Sequence, residues 1–459
     1  MFFRQTQIWM GIGPVTVIGA GIATGISAQA QLRCNAPAAS PSVTIALPSN
    51  PFAAKPSADG CWVFVSVAGA NGGIAVLKRQ EGHIEMQRVV RVTPAPAGIA
   101  LTHDGQLLVA AANNSAVILD VARMTAGAEN PILGTLRGPE GKFLQSVYVN
   151  ITADDKLLFV SEEAAAVITV IDFQRARANG FKADAFIGDV PVGGAPIALT
   201  FSSDGKWLYT TSESASPDWK WPRVCKPEGL PRTPGQFAAL KAVAERQIAA
   251  LQAQLAGASE KGAAQLQQQI DSLRALTSNP SGDQLVNPEG AVVVVDVGRA
   301  RTDPANAVTT RIPAGCSTVR MAISPDGRRI YVTARNSNAV EVFDTAKLAS
   351  DPDHSRLGMT PVGEAPVPVA VIDGGKKVVA GNSNRFAGGN APQTLSVLDA
   401  AKMERKGADA ALGPIPAGAF PRELSVSADG HTLFLTNAGS SSLQVIDIDR
   451  LPVEPPGKP

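Results

Sequence analysis

An Asp-Gly pair, with a Ser or Thr two places ahead of it and a short apolar run behind it, returns again and again along this chain. The fullest copy is Ser324-Pro325-Asp326-Gly327-Arg328-Arg329-Ile330-Tyr331-Val332-Thr333, which continues through Asn336-Ser337-Asn338 to Val342-Phe343-Asp344. Asp-Gly supplies the positive φ of a tight hairpin turn. Ile330 and Val332 alternate with polar neighbours at the period of a half-buried strand. A polar loop then breaks the run, and a second strand ends on Asp344. Each copy is therefore a small β-meander.

Turn aspartates stand at Asp59, Asp104, Asp154, Asp204, Asp326, Asp373 and Asp429, spaced by 45, 50, 50, 122, 47 and 56 residues. Apart from the single long gap, that interval suits one four-stranded sheet per repeat, the period of a propeller. A second landmark keeps step: Asp172, Asp344 and Asp447 each close a third strand 18 positions after their own turn aspartate. Seven turns imply seven blades. After the last copy, Pro452, Pro455 and Pro456 forbid another paired strand. Val43-Thr44-Ile45-Ala46-Leu47 precedes the first repeat without a repeat of its own. It is expected to complete blade seven and join the two ends of the chain. The fold class read here is all-β: a seven-bladed propeller over 31–459, closed by an N-terminal strand, with an α-helical hairpin inserted in blade four.

These copies resemble the YVTN-type β-propeller repeat, in which Ser-Pro-Asp-Gly, a Tyr-Val strand, a polar loop and a Val-Ile-Asp strand follow one another. Ser324 to Asp344 is the closest match, with Ser202 to Tyr209 and Ser427 to Asp447 next. The resemblance covers nearly all of the chain outside the insertion. It implies fold far more strongly than function, because such propellers serve unrelated purposes.

The insertion occupies the long gap. From Asp204 to the third-strand Asp296 is 92 residues against 18 in sister copies, so about 74 residues (216–289) enter between the second and third strands of blade four. Its middle, about 236–277, is rich in strong helix formers. Ile248, Leu251 and Leu255 fall at helical spacing, as do Leu266, Ile270 and Leu273. Gly257 to Gly262 separates the two runs, and Thr233-Pro234 has the form of a cap and first-turn proline. An antiparallel hairpin follows, with a first arm of about 22 residues. It packs on its own propeller, or serves as a lid or docking arm. Trp219 and Trp221 either anchor its base or wall a binding site.

The first thirty residues carry the marks of a secretory leader: Arg4, an apolar glycine-rich core from Ile8 to about Ile26, and Ala28-Gln29-Ala30 at the cleavage position. Pro14 and the glycines weaken a spanning helix, and no other stretch is apolar enough to cross a membrane. A periplasmic or secreted protein is expected. Export makes two disulfides the natural state of the four cysteines, which allow three connectivities. Topology selects among them. Cys225, in the second-to-third loop of blade four, and Cys316, just before blade five, share one face in neighbouring blades. Cys34 and Cys61 share the other face beside the ring closure. Cys34–Cys61 and Cys225–Cys316 are the expected pairs.

Lys plus Arg number 41 against 40 for Asp plus Glu, which leaves no global case for a nucleic-acid partner. His83, His103, His354 and His431 are the only histidines, and no pair has metal-ligand spacing. Haem, zinc-hydrolase, serine-hydrolase and phosphate-loop motifs are lacking. No cofactor and no metal are expected.

Attention passes to the face that carries the insertion and the starts of the first strands. Alignment on the turn aspartates places Tyr148, Arg320, Arg422 and Glu423 at the channel mouth. The second-to-third loops add Asn113, Glu162, Glu163, Glu213, Arg335, Asn336, Asn384, Arg385 and Asn437. Arg320 and Arg422 suit a carboxylate or phosphate. Glu162, Glu163 and Glu213 suit a cation or general-base role, or are loop charges paired locally. The leading expectation is a binding protein presenting this face and the hairpin to a small ligand or partner protein. The alternative comes from resemblance to seven-bladed lactonases. It implies hydrolysis of cyclic esters, with Glu163 or Glu423 beside Arg320 as the best constellation. A propeller of a redox system is a third class, disfavoured by the missing haem motifs.

Overall fold

Each Asp-Gly copy becomes the hairpin between the first and second strands of one four-stranded antiparallel sheet, and there are seven such sheets. The computed structural model describes residues 40–453 and Cys34, apart from 70–71, 138–143, 183–184, 222–224, 226–233, 385–392, 406–408 and most of 256–288. The leader expected over 1–30 and candidate Arg385 lie outside the described residues.

The turn motif has a clear local chemistry. In blade four the Ser202 hydroxyl donates to Asp204 Oδ1 at 2.6 Å, while that oxygen accepts the Lys206 N–H at 3.0 Å. The Trp207 N–H in turn donates to Ser202 Oγ at 3.0 Å, pinning the start of the next strand. Gly205 sits at φ +70°, as do its counterparts Gly60, Gly105 and Gly327 within a degree or so. Glycine is the residue that adopts this region without strain. The third copy has Asp155 there at φ +53°, which aspartate tolerates better than most residues. Its carboxylate accepts the His103 N–H of the neighbouring turn at 2.9 Å. The aspartates that close third strands have a different task. Asp120, Asp172 and Asp296 each cap a short helix by accepting the N–H three residues on, all at 2.9 Å.

The innermost strands are Pro51–Pro56, Ile99–Leu101, Ser146–Ile151, Gly194–Phe201, Thr318–Ile323, Pro366–Ile372 and Pro421–Val426. They are the strands through which successive blades touch around the axis. Apolar residues from facing sheets fill the space between blades. Between blades two and three, for example, Val109, Ala111 and Ile118 pack with Val149, Leu158 and Val160. Each such aliphatic side chain contributes about 1.5–3 kcal/mol on burial.

Blade seven takes three strands from the C-terminal end of the chain and its outer strand, Ser42–Ala46, from the N-terminal end. The register runs Ser42↔Ile446 to Ala46↔Ser442. Both expected disulfides are present: Cys34–Cys61 beside this junction, and Cys225–Cys316 between the insertion and the end of blade four's outer strand, Val308–Cys316, just ahead of blade five.

In blade four the strand Trp207–Ser214 pairs with Glu289–Asp296 as in any other blade, so the insertion leaves the ladder intact. Its first arm is a 22-residue helix, Pro234–Leu255. Ala244 on this helix is buried and Ile248, Leu251 and Leu255 are half-buried, one stripe at helical spacing. The described residues of 263–274 are also helical, and Ile270 is buried; the rest of the expected hairpin lies outside the described residues. No described strand of the propeller packs extensively on the helix. At the base of the insertion, Trp219 and Trp221 meet edge-on at 5.1 Å, and the Arg311 guanidinium lies 5.1 Å from the Trp219 ring. Both indoles pack against the apolar layer between blades three and four. Gly193, at φ +119°, has the Trp219 ring where a Cβ would go, so the indole seat depends on a glycine.

Candidate functional site

Counting back from the turn Ser or Thr shows what each blade turns toward the axis. Five positions ahead of it, or of Ile372, which holds the matching register in blade six, stand Phe52, Ala97, Val147, Ile197, Val319, Val367 and Arg422. Val147, Ile197, Val319 and Val367 meet one another, with Phe52 and Phe420 against them, and each valine or isoleucine is no more than 6% exposed. Apolar residues from six of the blades thus form a collar across the channel near the insertion-bearing face, with Phe420 serving for blade seven. Arg422 borders this collar, with its guanidinium 4.3 Å from the Phe52 ring and 5.2 Å from the Phe420 ring.

One step further in are Tyr148, Arg320 and Glu423, each four positions ahead of its turn residue. These three belong to blades three, five and seven, yet they touch. The Tyr148 hydroxyl donates to Glu423 Oε1 at 3.0 Å. Arg320 Nη2 lies 3.3 Å from Glu423 Oε2, and its guanidinium stacks 4.6 Å from the Tyr148 ring and 5.4 Å from the Phe52 ring. Lys55 of blade one completes the group, donating from Nζ to Tyr148 Oη at 3.2 Å and lying 3.3 Å from Glu423 Oε1.

Burial decides the protonation of this cluster. Burial alone would lower the Lys55 ammonium, but the Tyr148 oxygen and the Glu423 carboxylate outweigh it and hold the group above its ordinary value. Burial and the Glu423 charge raise the Tyr148 phenol, against the opposing pull of Lys55 and Arg320. At neutral pH Lys55 is therefore an ammonium and Tyr148 a phenol, in contact with the Arg320 and Glu423 side chains. Removing one member of such a buried set typically costs about 3–5 kcal/mol, because the partners keep their desolvation without compensation.

A cavity of about 610 Å³ adjoins the cluster, with Lys55 and Tyr148 in its wall. It runs along the inner strands to His103, Ala153, Ser203 and Asp204, exposed residues of the Asp-Gly turns and their flanks. Its mouth is therefore on the face opposite the insertion. On the insertion-bearing face, where the candidates were expected, the apolar collar lies between the loops and the cluster.

The other sequence candidates are placed elsewhere. Arg335 forks onto Glu213 with contacts of 3.0 and 2.7 Å, a loop pair between blades five and four. Glu163 accepts the Gln145 side-chain amide at 3.2 Å on the loops of blade three. Asn113 bridges to Ser146, and Asn336 donates to Ser317 Oγ at 2.7 Å. Asn384 and Asn437 are buried, the latter donating to Gln444. Glu162 is buried near Ser146 and Thr169 rather than in the channel. Burial chiefly, with the nearby Asp189 charge, pushes its carboxyl up to about 7 against those two hydroxyls. Among the described residues, no three His, Cys, Asp and Glu side chains are grouped to hold a metal ion. No described helix is long and apolar enough to cross a membrane.

Sequence reasoning missed Lys55. It stands two places ahead of Ser57, where the other blades have Ala100, Asn150, Thr200, Ala322, Ala370 and Ser425. A lone charge in a column of small neutral residues was the available signal.

A family model described as lactonase, 7-bladed β-propeller, matches residues 135–451. Among solved structures, the hydrazine synthase of Kuenenia stuttgartiensis aligns with a TM-score of 0.56 at 16% identity, over 90% of this chain and 98% of that one. A chain of the mitotic checkpoint complex aligns with a TM-score of 0.55 at 12% identity, over 96% and 99%. At such identities the likeness is one of fold. No curated protein matches the chain in sequence.

Proposed function

Because the chain belongs to the lactonase family of seven-bladed β-propellers, we propose that it is an exported binding propeller that takes a small molecule into its central channel through the Asp-Gly face. One observation carries the reading. Polar side chains from blades one, three, five and seven converge beside a cavity whose inner wall is otherwise mostly small or apolar, with Asn150 along it and His103 and Asp204 toward its mouth. A few directed polar groups in an otherwise apolar concavity is the usual make-up of a small-molecule site. Export is supported by the two disulfides and by the leader-like N-terminus. A partner protein on the insertion is a separate proposal, supported by the absence of extensive packing between its helix and the described strands.

Lactone hydrolysis is the second reading, and the family match favours it. Arg320 and Lys55 would stabilise the carboxylate that ring opening produces. A general base is harder to supply. The Glu423 oxygens already face Lys55, Tyr148 and Arg320, and raised Lys55 and Tyr148 keep their protons. Binding is thus the better-supported reading of this geometry. A thermal-shift screen of the protein against lactones, sugar acids, metals and peptides tests it. Stabilisation by a small molecule, abolished by filling the channel with Ala322→Trp, is expected. Steady acid release from a lactone in a pH-stat, lost in Glu423→Gln, would replace binding with hydrolysis.

A further inference from the structure

We propose that the channel cavity selects a singly charged carboxylate, whose head group docks on Lys55 Nζ. The inference rests on the channel reading above and adds the ligand's charge. Its first support is a count of unused donors. An ammonium has three N–H groups. Lys55 uses one on Tyr148 Oη and faces Glu423 with another. No further described residue accepts the third, and the side chain is 28% exposed where it borders the cavity.

Charge supplies the second support. Lys55 and Arg320 against Glu423 leave one positive charge beside the cavity, with Tyr148 a neutral phenol. Arg320 is committed to Glu423 and to the Tyr148 and Phe52 rings, so it buttresses the cluster and does not offer a fork. The six other blades contribute Ala or small neutral polar residues at the Lys55 position. A monoanion neutralises this inner end of the cavity, while Asp204 lines the wall at its mouth. A phosphate monoester carries a second charge with no cation to meet it, and a neutral ligand leaves the ammonium uncompensated. The collar blocks the far end, so the head group lies at the cluster and the body extends toward the Asp-Gly face.

Calorimetric titration of the full chain tests this with matched probes: gluconate and benzoate, their neutral counterparts glucose and benzamide, and the dianions glucose 6-phosphate and phenyl phosphate. At least one carboxylate should bind, ahead of its neutral and dianionic counterparts, and more weakly as ionic strength rises. Lys55→Met should weaken it by about tenfold or more, whereas Lys55→Arg keeps the charge and should retain part of the affinity. The order of the matched probes on the unaltered chain remains informative if Lys55→Met fails to fold. Equal binding of neutral probes, preference for the dianions, or full affinity in Lys55→Met would overturn the charge assignment. If such binding is still blocked by Ala322→Trp, the channel reading survives without it. Binding of no probe, together with no stabilised partner in the wider thermal screen, sinks both.

Discussion

Glu162 is the residue at which burial most clearly opposes charge. It is 2% exposed and its carboxyl is pushed up to about 7, chiefly by desolvation. An unfolded glutamate titrates near 4.3 (about the model-peptide value). The folded state therefore holds a proton that the unfolded state gives up. Stability from this group is fully present below about pH 4.3 and is lost as pH rises through about 7. Glu162→Gln keeps the shape and removes the titration. Thermal melts should show the variant gaining on the parent by on the order of a few kcal/mol near pH 8, with little difference near pH 4. Parallel melting curves at both pH values would contradict this account. Lys55 makes the complementary point about legibility. Arg320, Glu423 and Tyr148 were reached by aligning strands on the turn, but their mutual contact needs three blades folded around one axis. The pairing of Arg335 with Glu213 has the same origin: two loop charges distant in sequence meet because blades four and five are neighbours.

Among the elements, the insertion is the one that departs from the repeat. Its flanks remain in register, Ser212 with Ala291 and Trp207 with Asp296, so blade four needs nothing from it to form. Replacing 216–288 by a short turn, with Cys316→Ser to avoid a free thiol, should leave the circular dichroism spectrum propeller-like and ligand affinity unchanged. The loss of Cys225–Cys316 should lower stability by about 2–4 kcal/mol, and the loss of the Trp219 and Trp221 packing between blades three and four should add to it. Loss of channel binding in that variant would mean that the insertion shapes the cavity from across the collar. Helix formers and stripe spacing made the first arm readable from sequence, to within two residues at each end. How it stands relative to the ring was not readable, because its single apolar stripe suits a partner arm and a sheet equally well.

At the scale of the whole molecule, the ring is a chain of neighbour contacts joined where Ser42–Ala46 meets Ser442–Asp447. The junction has a second tie in Arg79, whose Nη2 donates to Thr432 Oγ1 at 2.8 Å between blades one and seven. Deleting 41–48 should expose the third strand of blade seven and open that edge. Urea unfolding of the deleted form should remain one transition, at a markedly lower midpoint. An unchanged main transition preceded by a small early one would show that the strand merely trims an end. The number of blades, the turn chemistry, the missing strand and the disulfide pairs follow from the sequence alone, because each depends on local rules repeated at a fixed interval. Which end of the channel is open depended on the closed ring. A collar exists only when one apolar residue from each of several blades arrives at the same height. A cavity exists only where the next column is small. Neither property belongs to any single repeat, and so no single repeat displays it.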